Sequence, residues 1–423
     1  MKKTEHTTLA WVVALTASLF FFYEFIQLNM FNAIAVDLMK EFNLNAAELG
    51  KLSSMYFYAN ALLLFPAGLM LDRFSTRRLI VLAVATSTIG TFLFAIAHTY
   101  TLAAIGRFLE GCGASFCFLS CIRIASRWFP PHKMAFVTGI IVTIAMLGGL
   151  VAQTPFAILT HHIGWRNTIL ANAALGVVFL IIIYAVVRDY PPDAAADAQK
   201  EKASLQALGF WRSIRMALAN PYNWLGGLYT SLMNLPVFLL GALWGINYLV
   251  QVHHVSAVQA SYATTVFFLG VIFGSPAFGW FSDHIGRRVL PMAIGAVLSL
   301  IVILVLMYVP NLSLTSIIAL FFLIGFVTSS QVLSYPTIAE LNPISITSTA
   351  VSVDSFLIMS SGAIFQPLFG WVMALHWNHA MLNDAPAYSA HDFLNAMWIM
   401  PISFVIALVV ACLFKETYCK SQA

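Results

Sequence analysis

The chain has 423 residues, 60% of them hydrophobic and only 9% charged, with a formal net charge of +4. Soluble domains carry roughly a quarter charged residues, so this composition excludes a water-soluble globular protein and makes lipid the solvent. The basic residues are scattered along the chain, which excludes a nucleic-acid partner. Of the five cysteines, three (Cys112, Cys117 and Cys121) share one apolar run. They have neither a disulfide framework nor metal-ligand spacing and read as small packing residues. Met1-Lys2-Lys3 precedes a long apolar run without a cleavage site, so the first helix is expected to be retained rather than removed as a signal peptide.

A membrane helix needs about 20 mostly apolar residues, and twelve runs reach that length once the long ones are divided at turn signals. The first covers Leu9 to Phe31 and carries Glu24. The second (Leu52 to Leu71) and third (Leu79 to Ala97) follow, then a fourth (Thr101 to Ser126) holding Arg107, Glu110 and Arg123. The fifth is Met134 to Thr160 and the sixth Asn167 to Val187. Composition then shifts across Arg188 to Asn220, with Pro191-Pro192, Lys200, Lys202 and a short amphipathic piece bearing Arg212 and Arg215. From Met216 to Ser282 there is no Lys, Arg, Asp or Glu; the turn at Gln251 to His254 divides spans seven and eight. Val289 to Ala339, equally free of those four types, divides at Pro310-Asn311. Span eleven (Ile344 to Leu375) carries Asp354; a polar loop with His376, His379, Asp384 and His391 leads to span twelve, Phe393 to Phe414. The expected domains are a six-helix bundle at 1–190, a cytoplasmic linker at 191–221 and a second six-helix bundle at 222–423.

With both termini inside, the cytoplasmic segments hold sixteen Lys and Arg and the outer loops only three, Lys40, Lys51 and Arg166. This bias predicts cytoplasmic termini. The halves repeat: Pro131 and Pro343, Pro155 and Pro367, and Trp165 and Trp377 each pair at an offset of 212. Internal repeats of this kind build transporters with a site near the bilayer midplane.

Two charged bridges between apolar runs mark the repeat most sharply. The first is Gly68-Leu69-Met70-Leu71-Asp72-Arg73-Phe74-Ser75-Thr76-Arg77-Arg78, and the second, 211 positions later, is Gly279-Trp280-Phe281-Ser282-Asp283-His284-Ile285-Gly286-Arg287-Arg288. Glycine allows close approach of helix ends, and aspartate suits a helix N-terminus. These bridges resemble the signature loop of the major facilitator superfamily, found between its helices 2 and 3 and again between 8 and 9. His284 departs from the usual basic residue, and Ser75-Thr76 makes the first turn one residue longer. Arg107-Phe108-Leu109-Glu110-Gly111-Cys112-Gly113 is similar to the superfamily's helix-four motif. Helix five has Gly148-Gly149 but lacks the Gly-Pro pair typical of the antiporter branch, which leans toward uptake. Arg127-Trp128-Phe129-Pro130-Pro131 resembles the branch that carries organic anions, hexuronates and phosphorylated sugars, and the amino-acid carriers of intracellular bacteria. The resemblance implies an all-α integral membrane protein of twelve transmembrane helices in two pseudo-symmetric six-helix bundles. It also implies that Gly68, Asp72, Arg73, Arg77, Arg78, Gly279, Asp283, Arg287 and Arg288 act as gating loops.

Charges inside a bilayer are costly and are functional candidates. Glu24 and Arg107 each lie about 10 Å from the outer end of their spans at 1.5 Å per residue. The superfamily fold places these two spans together, so a Glu24–Arg107 pair is expected, with Glu110 one turn beyond Arg107 on the same face. An arginine between two carboxylates is a proton-relay arrangement; the other reading is a static ion pair that fixes helix packing. Asp354 is the one acid within a second-half span; it either binds a proton or cation, or bonds the neighbouring loop at Glu340 to Pro343. Arg123 is expected to snorkel to the inner headgroups. Gln27, Tyr56, Asn60, Tyr229, Asn234, Asn247, Gln331 and Tyr335 are substrate-cavity candidates, each with helix–helix hydrogen bonding as the alternative role. Eight of eleven histidines fall in or beside outer loops, where interfacial solvation competes with pH sensing.

No nucleophile elbow, His-Glu-x-x-His or phosphate loop is present, so neither an intramembrane enzyme nor an ATP-driven pump is expected. The sequence predicts a secondary active transporter in a bacterial inner membrane, a functional monomer taking up an amino acid, small peptide or organic acid. The proton gradient would drive it, with no cofactor and no metal. Alternatives are an exporter or antiporter, including one for siderophores or drug-like compounds, or a transporter-fold sensor.

Overall fold

The computed structural model describes residues 2–129, 134–191, 210–342, 347–375, 377–382 and 384–420. Pro131, Pro343, His376, Lys200, Lys202 and most of the expected linker lie outside the described residues, as do the side chains of Asp72, Arg73 and Arg212.

The described chain is almost wholly helical. In order it runs α1 (Lys2–Asn29), α2 (Phe31–Glu41), α3 (Ala46–Arg73), α4 (Thr76–Ala95), α5 (Tyr100–Ala114), α6 (Cys117–Trp128), α7 (Met134–Val151), α8 (Thr154–Ile163) and α9 (Trp165–Val186). The second half continues with α10 (Phe210–Ala219) and α11 (Pro221–Met233), a π-helical segment Val237–Trp244, α12 (Gly245–His253), α13 (Ala257–Ile285), α14 (Val289–Tyr308) and α15 (Leu314–Thr328). A 3-10 turn Ser329–Leu333 leads to α16 (Ser334–Glu340); then come α17 (Thr347–Ala374), α18 (Ala390–Met397) and α19 (Ile399–Leu413). Two short strands, β1 (Met381–Leu382) and β2 (Ala385–Pro386), pair antiparallel with Met381 opposite Pro386 in the loop before α18.

Local chemistry fixes many of the boundaries. Ser75 Oγ accepts the Arg78 amide at the start of α4, and Ser256 with Gln259 forms a reciprocal capping box at the start of α13. Asn220 caps α11 with Pro221 in its first turn. Gly286, at φ 64°, closes α13 in the left-handed region that glycine enters without a Cβ penalty.

Taking each helix with its close continuation, ten among the described residues are long and apolar enough to cross a membrane. The bent pair Pro221–Met233 and Val237–His253 makes an eleventh. The remaining expected span is α3, whose 28 residues reach about 42 Å. The main departure from the sequence reading is that several spans are broken. Span four divides at Ser115-Phe116, span five before Pro155, span seven around the π segment and span ten at the 3-10 turn.

By contacts the chain forms two compact units, 1–28 with 55–149 and 163–212, and 29–54 with 150–162 and 213–423. The grouping does not follow the repeat boundary, because residues 29–54 and 150–162 pack with the second half. The first unit's core includes Ala17, Phe20, Ile80, Val84, Ile124, Val137 and Ile183. Lipid is as apolar as these side chains, so close van der Waals contact must hold the helices together. Glycines supply it where α4 meets α5: a Cβ on Gly90 would lie 2.6 Å from the Gly106 carbonyl oxygen, and one on Gly106 2.8 Å from that of Gly90.

Candidate functional site

In the first unit, the glycine face of α5 brings two buried charges against α3. A Cβ on Gly111 would sit 2.8 Å from the Tyr56 carbonyl carbon and 2.9 Å from the Ala59 Cβ. This approach places Arg107, one turn earlier, with its guanidinium carbon 5.0 Å from the Tyr56 ring centre, a cation–π distance. Arg107 and Glu110 are both fully buried. Arg107 Nη1 donates to Glu110 Oε2 at 2.5 Å and to the Gln27 carbonyl at 2.9 Å. Glu24 on α1 is equally buried and accepts a long bond from the Tyr56 hydroxyl at 3.4 Å.

Of the two carboxylates expected around Arg107, Glu110 takes the direct bond. Arg107 bonds the carboxylate one turn along its own helix, a partner that needs no neighbouring helix to supply it. Tyr56 lies between Glu24 and Arg107, its hydroxyl on the one and its ring under the other. Glu24 Oε1, Glu110 Oε1 and both polar atoms of the Gln27 side chain are buried without hydrogen-bond partners among the described residues. Asn60, one turn beyond Tyr56, is buried.

The second unit holds Asp354, fully buried in α17. Thr230 and Tyr335 face it, yet both carboxylate oxygens lack a hydrogen-bond partner among the described residues. At the end of α16, Glu340 bonds Arg288 and Thr417; Pro343 of the loop named as the alternative partner lies outside the described residues. Tyr229 is a helix tie, its hydroxyl donating to the Met292 carbonyl and sharing a 2.9 Å bond with Ser330. Asn234 ends α11, half-buried. Asn247 accepts from Gln251 at 2.7 Å and leaves Nδ2 unpartnered. Gln331 is buried in the 3-10 turn.

At the charged bridges each unit has its own network. Arg288 Nη1 meets Asp283 at 2.7 Å and its Nη2 meets Glu340 at 2.8 Å. Partial burial opposes the Arg288 charge, but the bonds to Glu340 and Asp283 outweigh it and raise its pKa. Glu416 accepts the Arg288 and Val289 amides at 2.8 and 3.1 Å. In the first unit Asp189 plays the matching part, accepting the Arg77 amide at 2.6 Å and the Ser75 hydroxyl at 2.5 Å. Arg77 reaches the Tyr184 carbonyl at 2.7 Å, and Arg127 donates to Thr76 at 2.9 Å. Among the described residues Gly68 has only Leu119 within reach of an added Cβ, and Gly279 has nothing; neither marks a close approach there.

Sequence reasoning missed Asp189 and Glu416. A signal was available: each stands three residues past the last helix of its half, α9 or α19, after a basic residue. Their offset is 227 rather than 211, because the strand-bearing loop before α18 lengthens the second repeat and hides the match. Both anions cap the first turn of the third helix of their half, where exposed amides favour negative charge.

A helical membrane protein built from repeated halves, with matched charged bridges and buried charges on its first and fourth spans, defines an integral membrane protein of the two-bundle class. The family profile described as Major Facilitator Superfamily matches residues 16–251 and 228–421, and the chain belongs to that superfamily. It is 26% identical over 276 residues to a D-galactonate transporter of Escherichia coli O6:H1, a match covering 60% of this chain and 62% of that protein. That is less than two thirds of the relative's length. In structure it is similar to an inward-facing, unoccupied bacterial homologue of the human lysosomal transporter Spinster, with a TM-score of 0.78 at 20% identity, covering 96% of each chain. It also matches a D-xylose–proton symporter with a TM-score of 0.76 at 14% identity, over 97% of this chain and 99% of the other. At these identities the structural likenesses establish the fold.

Proposed function

We propose that this protein is a secondary active transporter that works by alternating access and takes up a small polar metabolite with protons. Its halves, 1–190 and 222–423, would move against each other about the linker at 191–221. Both termini would lie in the cytoplasm of a bacterium whose inner membrane holds the protein as a functional monomer. Amino acids, small peptides and organic acids are the substrate classes favoured, in keeping with the D-galactonate transporter among its relatives.

The observation that carries the reading is the buried set Glu24, Tyr56, Arg107 and Glu110. A structural ion pair would need one acid for the arginine, and Glu110 supplies it. Glu24 remains, out of water, with one oxygen unpartnered and Tyr56 on the other. A carboxylate so placed can take up a proton from one side and release it to the other. Tyr56 couples its state to Arg107, which in turn can hold a substrate carboxylate when Glu110 lets go. Gln27, with its side chain unpartnered, and Asn60 are the adjoining substrate contacts. Asp354 with Tyr335 is a second acidic position. The bridges at Asp72 and Asp283 would act as cytoplasmic gates.

The test uses the purified protein in vesicles with an imposed pH gradient and a panel of radiolabelled amino acids, dipeptides and organic acids. Uptake should rise as external pH falls. Glu24→Gln or Glu110→Gln should abolish accumulation driven by the gradient yet keep counterflow exchange, because exchange need not release the proton. Arg107→Ala should lose both, since it strands a buried carboxylate, at a cost of about 3–5 kcal/mol. Normal pH-driven accumulation in both Gln variants would place the proton elsewhere, and accumulation driven by sodium alone would reject proton coupling.

A further inference from the structure

In span seven the helix widens, and a side chain from α2, just past span one, bonds into it. Widening to a π helix over Val237–Trp244 changes which carbonyl each amide can reach. The Ile246 amide turns outward and donates to Asn32 Oδ1 at 2.9 Å. Asn32 Nδ2 donates to the carbonyls of Leu240 and Gly241, both at 3.0 Å, and to Gln153 Oε1 at 2.8 Å. Gln153 Nε2 donates to Gly241 at 2.9 Å. The carboxamide of Asn32 thus serves the segment as donor and acceptor at once, joining the Gly245 amide on the Leu240 carbonyl.

Asn32 is 2% exposed and Gln153 fully buried, so the alternative to these bonds is an unsatisfied polar group rather than water. A third amide, Gln366 of α17, donates to the Phe238 carbonyl at 2.8 Å. Around this centre the contacts are neutral and close. A Cβ on Gly50 would lie 2.7 Å from the Gln366 carbonyl oxygen. Thr154 shares a 2.7 Å bond with Thr265 and accepts from Ser261 at 3.1 Å. These contacts hold the ends of spans one, two and five onto spans seven, eight and eleven, all within the second unit.

We propose that Asn32, with Gln153, is the outer latch of the transport cycle: a carboxamide inserted into the π segment of span seven that fixes the closed outer face and must withdraw for it to open. The proposal rests on the alternating-access reading. Asn32 acts as a positioning residue, since no charge or substrate contact is assigned to it. Its hydrogen-bond partners include no titratable side chain, so the native latch is insensitive to pH.

The test reads opening directly. Spin labels are placed at His161→Cys and Ala257→Cys, exposed positions on the latched ends of spans five and eight, in protein whose five native cysteines are replaced by alanine. Distance distributions are measured in lipid discs. Asn32→Ala should raise the longer-distance population at least about tenfold relative to the closed one, and Gln153→Ala should raise it less. Asn32→Asp is the sharper variant. Ionised, it sets a carboxylate against the Leu240 and Gly241 carbonyls and should open the face. Protonated, it can donate to one of them again, so the longer-distance population should shrink as pH falls. If Asn32→Ala does not fold, Gln153→Ala and the pH response of Asn32→Asp still decide. An unchanged distribution in Gln153→Ala together with a pH-independent one in Asn32→Asp overturns the latch even if the wild type transports. A latch that opens as described in a protein that moves nothing in the vesicle assay leaves the latch standing and removes the transporter reading.

Discussion

Arg288 shows at single-residue scale why an arginine rather than a lysine occupies a loop position. Its Nη1 serves Asp283 and Ser282 while Nε and Nη2 face Glu340. A lysine keeps the charge but offers one compact ammonium and cannot bridge partners on opposite sides of a planar fork. Hydrogen bonds to charged groups contribute about 1.5–3 kcal/mol, but the Asp283 side chain is 68% exposed and its pair is screened. Arg288→Lys should therefore cost about 1–2 kcal/mol in all, seen as a lower midpoint of thermal unfolding in detergent. Glu340→Gln should cost a similar amount, and the double variant less than the two together, because both remove the same bond. Strict additivity would mean that the pair contributes nothing to stability.

The breaks in the membrane spans are set by contacts between elements, and this limits what could be read from sequence. Hydropathy placed most spans, since lipid demands a long apolar run wherever a helix crosses. The buried charges were equally plain: Glu24, Arg107, Glu110 and Asp354 interrupt otherwise apolar segments. Their partners were not. Nothing in the spacing of Arg107 told whether it would take Glu24 or Glu110, and Tyr56 had no mark as the group between them. The π segment was illegible because Val237–Trp244 is uniformly apolar; the side chain that bonds it, Asn32, lies some two hundred residues away. The glycine contacts carry a prediction at this scale. A methyl group at Gly111 would press on the Tyr56 backbone and Ala59, neither the flexible end of a side chain. Gly111→Ala should cost about 1–3 kcal/mol of stability through overpacking and shift Tyr56 relative to Arg107. Gly279→Ala, where a Cβ meets nothing, should be close to neutral in the same unfolding assay. Equal losses at the two positions would contradict the close approach of α3 and α5.

On the scale of the whole molecule, charge and repeat act together. The two halves share bridges at an offset of 211 and carboxylate caps at an offset of 227, so each half builds its charged bridge from its own residues. These bridges and their surroundings carry Arg77, Arg78, Arg127, Arg287 and Arg288, five of the sixteen cationic residues of the expected cytoplasmic segments. Asp283 and Glu340 pair with Arg288 and Asp189 with Arg127, while Asp189 and Glu416 accept the Arg77 and Arg288 amides; these anions do not cancel the bias, because orientation follows Lys and Arg rather than net charge. The exposed Lys40–Asp384 pair at 3.3 Å contributes little. The expected orientation therefore puts His98 outside and Lys415 inside, both exposed positions. With native cysteines removed, His98→Cys should react with a membrane-impermeant maleimide in intact cells, and Lys415→Cys only after the membrane is permeabilised. Labelling of Lys415→Cys in intact cells would invert the topology, turn the bridges outward and place the amide latch on the cytoplasmic side. Uptake through Glu24 would then have to draw its proton from the bridge-bearing face, a reversal that the vesicle assay would register as accumulation under the opposite pH gradient.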